Sequence, residues 1–564
     1  MQIKYFAAVS LVFFLSKAGA QSSLPYSIPK KFVGEKGAVV SAHPLASNVG
    51  LHILQQGGNA IDAAIATQLA LAVVYPGAGN LGGGGFMLAC MQDGQTIALD
   101  YREAAPQLAF KDMYLDTAGN PITELSLAGP LASGIPGTVA GLFASMKYAK
   151  LSFKKLVAPA IALAQNGFAI TAAQASSFNN NKVEFIRHNQ HAVAFVNPGT
   201  WQQGDILLQP ELAATLLRIS RKGAKGFYRG RTADLIVAEM KKGKGIISRS
   251  DLQNYKAIER KAVRFNYKGY EIVGMPMPSS GGVILNQLMK MTEGKNIGSM
   301  GFLTAASVQL MVEAERRAFA DRGTYMGDAD FASVPVKTLV SEAYLRQRMA
   351  DYVPGVAGNS QQTKEGMIKE SEETTHMSIV DSEGNAVAVT TTLNGSYGSY
   401  TVVEGAGFLL NNEMDDFSVK PGAPNMYGAV GKAANAIAPG KRMLSSMTPT
   451  IVLKNNLPYL VVGTPGGTTI PTSVYQTLVN ILEFNMSEED AVNKPKFHHQ
   501  WLPDEVFIEK DFPATVAGEL RTMGYKITER SEIGRTELIR ITQEGGRKII
   551  AIADKRGDDA AAGY

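Results

Sequence analysis

The stretch TTHMSIVDSEGNAVAVTTTLN, residues 374–394, decides how the rest of the chain is read. Thr375–Val380 is a short run rich in residues that favour strands, and Asp381–Gly384 carries turn chemistry. Asn385–Leu393 then alternates Ala386 and Ala388 against Val387 and Val389. The pattern predicts a hairpin with threonines at both ends. Just before it, residues 359–373 (NSQQTKEGMIKESEE) are polar and charged with no apolar period, the composition of a solvated loop in which a chain can be cut.

A threonine hydroxyl inside a chain is a poor nucleophile, because nothing nearby is obliged to take its proton. If the Glu373–Thr374 bond is cleaved, the new α-amine, of unperturbed pKa about 8, sits on the same residue as the hydroxyl and can serve as its base. The same residues also fit an ordinary threonine at a strand entry, and this motif alone leaves both readings open.

The chain has 564 residues, enough for two or more domains or one large layered unit. Charged residues make up 19% and apolar ones 45%, which describes a folded protein with little room for disorder. The first twenty residues hold Lys4, an apolar run from Tyr5 to Leu15, and Ala18-Gly19-Ala20 before Gln21, the layout of a cleavable secretory signal. The mature protein is therefore expected in the periplasm or secreted, with no membrane span. The formal charge is +5, or +3 without Lys4 and Lys17, too small for this length to argue for nucleic acid or an acidic membrane. A single cysteine, Cys90, excludes a disulfide framework and multi-thiolate metal sites.

Taken in order, residues 44–56 read as a helix closed by Gly57-Gly58. Asn59 can cap a second, buried helix, in which Ile61, Ile65, Leu69 and Val73 recur at spacing four. Residues 77–82 contain a formal GxGxxG, but a helix precedes it and a hairpin (Phe86–Cys90, Thr96–Asp100) follows. That is the reverse of a dinucleotide fingerprint, so a close backbone approach is the better reading. Arg102 ends this hairpin and suits either a salt bridge or a substrate carboxylate.

Val308–Arg322 reads as an amphipathic helix stopped at Gly323. His188 and His191 have ligand-like spacing, yet no carboxylate or third histidine is close in sequence, so they are expected to be solvated surface residues and no metal site is predicted. Phe408–Leu410 reads as a strand, and Lys420–Lys441 as a long binding loop or lid. Leu457–Val462 is a strand running through Gly463-Thr464-Pro465-Gly466-Gly467 into a helical segment, Thr472–Phe484. Two backbone N–H groups at such a glycine pair can face a developing oxyanion.

Together TTHMSIVDSEGNAVAVTTTLN, FLLNNEMDDFS (408–418), KRMLSSMTPT (441–450), GTPGG (463–467), FHHQWLPDE (497–505) and the closing Ala561-Ala562-Gly563-Tyr564 resemble the bacterial γ-glutamyltranspeptidases. GNLGGGGFM, DYREAAP and SGIPGTVAG extend the resemblance over essentially the whole mature chain. It implies an α+β fold, the four-layer αββα sandwich of N-terminal-nucleophile hydrolases. It implies a signal peptide over 1–20, then a precursor that cuts itself between Glu373 and Thr374. The products would be a large subunit, 21–373, and a small catalytic one, 374–564, which remain associated as a heterodimer. The implied activity is γ-glutamyl transfer from glutathione and similar amides, through an ester on Thr374, to water or to amino acid and dipeptide amines.

By the same resemblance, Thr392 supports the nucleophile, and Gly466 and Gly467 form the oxyanion hole. Arg102, Ser445 and Ser446 would hold the α-carboxylate of the glutamyl group, and Asn394, Glu413 and Asp416 its α-ammonium. Tyr427 would belong to a lid. Chemistry agrees, because a site reading a zwitterion needs cation and anion partners on opposite sides. No metal or organic cofactor is expected. Departures from the commonest pattern at Met443, Thr464, Thr468, Thr469 and Glu413 leave acceptor preference open, and Lys555 replaces a proline without a consequence that can be derived. A related glutaryl or cephalosporin acylase is the nearest rival, and an uncleaved periplasmic binding protein is the rival from another class.

Overall fold

The computed structural model describes residues 24–363, 373–419 and 433–564; the expected signal peptide and Tyr427 lie outside these residues. The predicted hairpin forms, with strands Glu373–Val380 and Ala386–Asn394 paired antiparallel. Its turn is held by Asp381, whose Oδ1 accepts the N–H groups of Glu383, Gly384 and Asn385 at 3.0 Å each. One carboxylate therefore satisfies the donors that a tight turn leaves over.

This hairpin is the centre of a seven-stranded antiparallel sheet, in the order Ala560–Gly563, Ala38–Ser41, Glu373–Val380, Ala386–Asn394, Gly84–Cys90, Thr96–Asp100 and Ile258–Arg260. A second antiparallel sheet of seven lies on it: Lys31–Gly34, Lys548–Ile552, Glu537–Thr542, Leu457–Gly463, Thr450–Lys454, Tyr270–Gly274 and Val263–Tyr267. Between the sheets Val40, Phe86, Leu88, Ala388, Ile451, Val461 and Ile539 make an apolar layer. Helices cover both outer faces, which completes the αββα sandwich. Each sheet takes strands from both sides of Thr374. A cut there would leave two pieces sharing both sheets and the core between them.

On one outer face the helix Ala60–Val74 is buried along all fifteen residues, as its predominantly apolar content implies, and Asn59 and Asp62 form a reciprocal cap. On the other face the helix Ala305–Tyr325 departs from expectation. It runs past Gly323, and Ser307–Gly323 is buried all round rather than along one stripe. Several of the buried charges are paired, Glu313 with Arg317 at 2.6 Å and with Arg316 at 3.3 Å, and Asp321 with Arg348 at 3.1 Å, while Glu315 accepts the His499 N–H at 2.8 Å. Phe408–Leu410 is likewise no regular strand; Leu409 and Leu410 make only isolated bridges, to Val402 and Gly82. Among the described residues no helix is long and apolar enough to cross a membrane.

Candidate active site

Thr374 lies at an irregularity in the central hairpin. Glu373 is opposite Asn394 and Thr375 opposite Thr391, so two residues, Thr392 and Leu393, face the single Thr374. A bulge of this kind bends the pair and re-aims a side chain. Along the hairpin, the neighbouring strand Ala38–Ser41 reaches only Met377–Val380 and leaves the Thr374 end to other elements. Thr374 and Thr392 are both nearly buried, 4% and 3% exposed. The Thr392 hydroxyl accepts the N–H of Asn394 at 2.7 Å, and Asn394 holds a left-handed conformation with φ +77°.

The glycine run at 82–85 earns its composition at this hairpin. A Cβ on Gly83 would stand 2.1 Å from the Thr392 carbonyl oxygen, and one on Gly85 would stand 2.5 Å from that of Thr390. Asn80 secures the contact, donating to Thr391 Oγ1 at 3.1 Å and to the Thr392 carbonyl at 2.8 Å. The run is thus a close backbone approach rather than a phosphate cradle.

From the second sheet, strand Leu457–Gly463 ends directly on the first one. A Cβ on Gly463 would be 2.2 Å from Cε1 of His376, two residues beyond Thr374. His376 is fully buried, hydrogen-bonded to Thr390 Oγ1 at 2.8 Å, and burial lowers its pKa to about 3, so a neutral ring lies under this contact. The chain continues through Thr464-Pro465-Gly466-Gly467 into helix Thr469–Leu482. Gly466 and Gly467 take φ +131° and +57°. Their carbonyls accept from Thr469 and Ile470 at 3.1 Å each, while their N–H groups donate to no group among the described residues. Unsatisfied donors at a helix N-terminus are suited to negative charge.

Arg102 follows strand Thr96–Asp100 and is 1% exposed. Its guanidinium pairs with Glu413 at 2.5 Å and with Asp416, and Glu103 lies 3.6 Å away. Glu413 and Asp416 stand on the short helical turn Glu413–Asp416. Cation and anions therefore contact each other directly, instead of facing one another across an open space as the sequence reading expected. Burial drives all three carboxyls upward against the attraction of Arg102, and Glu103 reaches about 8. Glu413 is likewise pushed well above the ordinary carboxylate range, so the three carboxyls do not share full negative charge around the one guanidinium.

The turn bearing Glu413 is tied to the hairpin. Asn394 Nδ2 donates to the Asn412 carbonyl at 3.0 Å, and Asn412 Oδ1 accepts the Gly395 N–H at 2.9 Å. Asn411 joins the glycine run, donating to the Gly82 and Gly134 carbonyls at 2.8 and 2.9 Å. On the other side Arg102 reaches the carbonyls of Met443 and Leu444, both at 3.4 Å, immediately before Ser445 and Ser446. The Ser446 hydroxyl is buried with no hydrogen-bond partner among the described residues.

Sequence reasoning missed a supporting layer. Ser280 donates to the Ser445 carbonyl through both its N–H and its hydroxyl, at 2.8 Å each, and itself accepts from Arg322 Nε at 2.8 Å. Burial lowers the pKa of Arg322 to about 9, opposed by the charge of Asp416. Glu103, Ser280 and Arg322 carry no signal in isolation; only the neighbourhood of Glu103 to Arg102 hinted at one. A cavity of about 310 Å³ opens beside Gly466, walled also by Thr469, Ser396, Tyr397 and Tyr75. The cluster around Arg102 is closed off and lines none of it.

The chain is similar to known proteins over most of its length. The family model for gamma-glutamyltranspeptidase matches residues 46–564. A glutathione hydrolase proenzyme of Escherichia coli K12 is 44% identical over 537 residues, covering 94% of this chain and 92% of its own. Among solved structures, gamma-glutamyltranspeptidase of Helicobacter pylori is 44% identical with a TM-score of 0.57, covering 59% of this chain and 95% of that one. Cephalosporin acylase of Bacillus halodurans has a TM-score of 0.84 at 26% identity, covering 98% and 99%.

Proposed function

Since the chain belongs to the γ-glutamyltranspeptidase family and is an enzyme of the γ-glutamyltransferase/hydrolase class, we propose that it activates itself by cleavage between Glu373 and Thr374 and then transfers γ-glutamyl groups from glutathione and related amides. In the first step the Thr374 hydroxyl attacks the Glu373 carbonyl carbon, the peptide C–N bond breaks, and water opens the resulting ester. This frees the α-amine of Thr374 and leaves a carboxylate on Glu373. In the second step the hydroxyl attacks the γ-amide carbon of the donor as the amine takes its proton. The tetrahedral oxyanion is held by the N–H groups of Gly466 and Gly467, and its collapse returns the proton to the departing cysteinylglycine amine. Water, or the amine of an amino acid or dipeptide, then releases the γ-glutamyl ester.

The observation that carries this reading is the bulge that sets Thr374 against Thr392 at the end of the hairpin onto which Gly463 closes and to which the Glu413 turn is bonded. In the bound complex the α-carboxylate would take over Arg102 with help from Ser445 and Ser446, and the α-ammonium would take over Glu413 and Asp416 beside Asn394. The zwitterion replaces an existing internal ion pair, so charge is conserved in the exchange. The two pieces would remain a heterodimer because both sheets are shared between them. The expected leader sends the protein to the periplasm or the medium.

Intact mass with N-terminal sequencing tests the first step. The chain of 60.3 kDa should yield pieces of roughly 38 and 20 kDa by residue share, the smaller beginning Thr-Thr-His. Thr374→Ala should leave one uncut chain; cutting in that variant overturns the mechanism. The similarity to cephalosporin acylase supports a second reading, glutaryl amide hydrolysis. A glutaryl group lacks the α-amine, which gives Glu413 and Asp416 no partner. Comparing γ-glutamyl and glutaryl p-nitroanilides should therefore favour the former strongly.

A further inference from the structure

The fold brings to His191 what its sequence neighbourhood lacks. Glu239, on helix Arg231–Lys242, and Glu404, in the turn before Gly405, place carboxylate oxygens so that these and a His191 ring nitrogen all lie within 4.8 Å of one another. Both ring nitrogens of His191 are shut off from solvent and lack a hydrogen-bond partner among the described residues. A buried imidazole in that condition forfeits hydrogen bonds it would make in water. His188, the residue that made the spacing look ligand-like, turns elsewhere, to Glu184 at 3.5 Å and onto the ring of Tyr400.

One cation already sits at the carboxylates. Lys242 Nζ contacts Glu239 at 3.1 Å and also Glu404, and the Glu404 N–H donates to Glu239 Oε2 at 3.3 Å. Lys242 leaves the imidazole unsatisfied, however: its ammonium contacts the two carboxylates and neither ring nitrogen, and having no acceptor it cannot take the imidazole N–H. Its side chain is 32% exposed and can withdraw into water. The turn bearing Glu404 is held independently, by Thr215 Oγ1 on the Ala406 carbonyl at 2.7 Å and by the Gly405 N–H on Glu211 at 3.2 Å. The ligand geometry therefore does not depend on the lysine.

We propose that His191, Glu239 and Glu404 form a binding site for a divalent cation of the zinc type. One imidazole nitrogen and two carboxylates would ligate it, water would complete the shell, and Lys242 would be displaced. Borderline cations accept this mixed nitrogen and oxygen set, whereas calcium and magnesium prefer oxygen alone. Two carboxylates and a divalent ion are neutral together, where the carboxylates and one ammonium leave a net negative charge. His191 and Glu239 precede Thr374 and Glu404 follows it. If the cleavage proposed above occurs, the ion would clip the two pieces together; that consequence rests on the proposed function, and the site itself does not.

The test is titration of the purified full chain, stripped with chelator, with zinc sulfate alone, read by calorimetry and by metal content after dialysis. One zinc per chain is expected. His191→Ala should weaken binding by at least about tenfold, and Glu404→Gln, on an exposed turn, should do so without threatening the fold. Lys242→Met should bind more tightly than the parent, because the competing ammonium is gone. γ-Glutamyl turnover of the stripped protein should be the same in all three variants. An uncut Thr374→Ala chain should still bind zinc, which separates failure of this site from failure of the cleavage reading. Equal affinity in parent and His191→Ala, or no tightening in Lys242→Met, overturns the proposal.

Discussion

The Arg102 cluster and the Gly463–Gly467 turn flank the same hairpin but are made of opposite materials. Around Arg102 three buried carboxyls share a guanidinium whose Nε and Nη2 also donate to the carbonyls of Met443 and Leu444. At the turn the shape comes from backbone, with positive φ at Gly466 and Gly467 and no room for a Cβ at Gly463. The difference is one of tolerance. A cluster of compensating charges fails in stability when one member is removed, because the others are left buried and unpaired. A backbone turn fails in geometry, and so in rate, while the fold survives.

The sharpest way to break that contrast is Arg102→Ala. It should cost about 3–5 kcal/mol in urea unfolding by stranding Glu413 and Asp416, and should abolish γ-glutamyl turnover. Next comes Gly466→Ala, whose Cβ would meet Thr469 Oγ1 at 2.3 Å. Turnover should drop about 10²–10³-fold, with a stability loss of about 1–3 kcal/mol from the positive φ that stays below the loss in Arg102→Ala. A large stability loss there would erase the distinction.

The pH dependence sharpens it further. Glu103 keeps its proton in the folded chain up to about 8, whereas the unfolded chain releases it near 4.5. Between those values the folded state binds more protons, so this group's contribution to stability is full below 4.5 and is lost as pH rises through 8. Glu103→Gln should remove that slope. Its stability relative to the parent should rise from pH 5 to pH 8 in paired denaturation curves, and a constant difference would contradict the assignment. The smallest effect is expected from Thr469→Val, which deletes the hydroxyl bonded to the Gly466 carbonyl at 2.7 Å. A loss of about 1 kcal/mol with a modest fall in turnover would place this residue as a brace of the turn.

The two outer helices show how much of this could be read beforehand. Ala60–Val74 was legible because its burial is written in its own composition, and the Glu373–Asn394 hairpin because strand alternation and turn residues are local. Ala305–Tyr325 was not, since Glu313, Arg316, Arg317 and Asp321 look solvated until their partners at residues 348, 351, 504 and 525 are in place. The zinc-type site follows the same rule: His191 stands 48 and 213 residues from its carboxylates, beyond any spacing a motif could show.

By itself, then, the sequence determined the hairpin, the glycine approaches, the family resemblance and the residue types of the candidate site, because each depends on local periodicity or on short motifs. Tertiary structure alone decided that Arg102 pairs with its presumed counterparts rather than facing them. It also decided that Ser280 and Arg322 brace Ser445 and that two distant glutamates converge on His191. These are long-range electrostatic and packing outcomes, settled only when segments hundreds of residues apart are buried against each other.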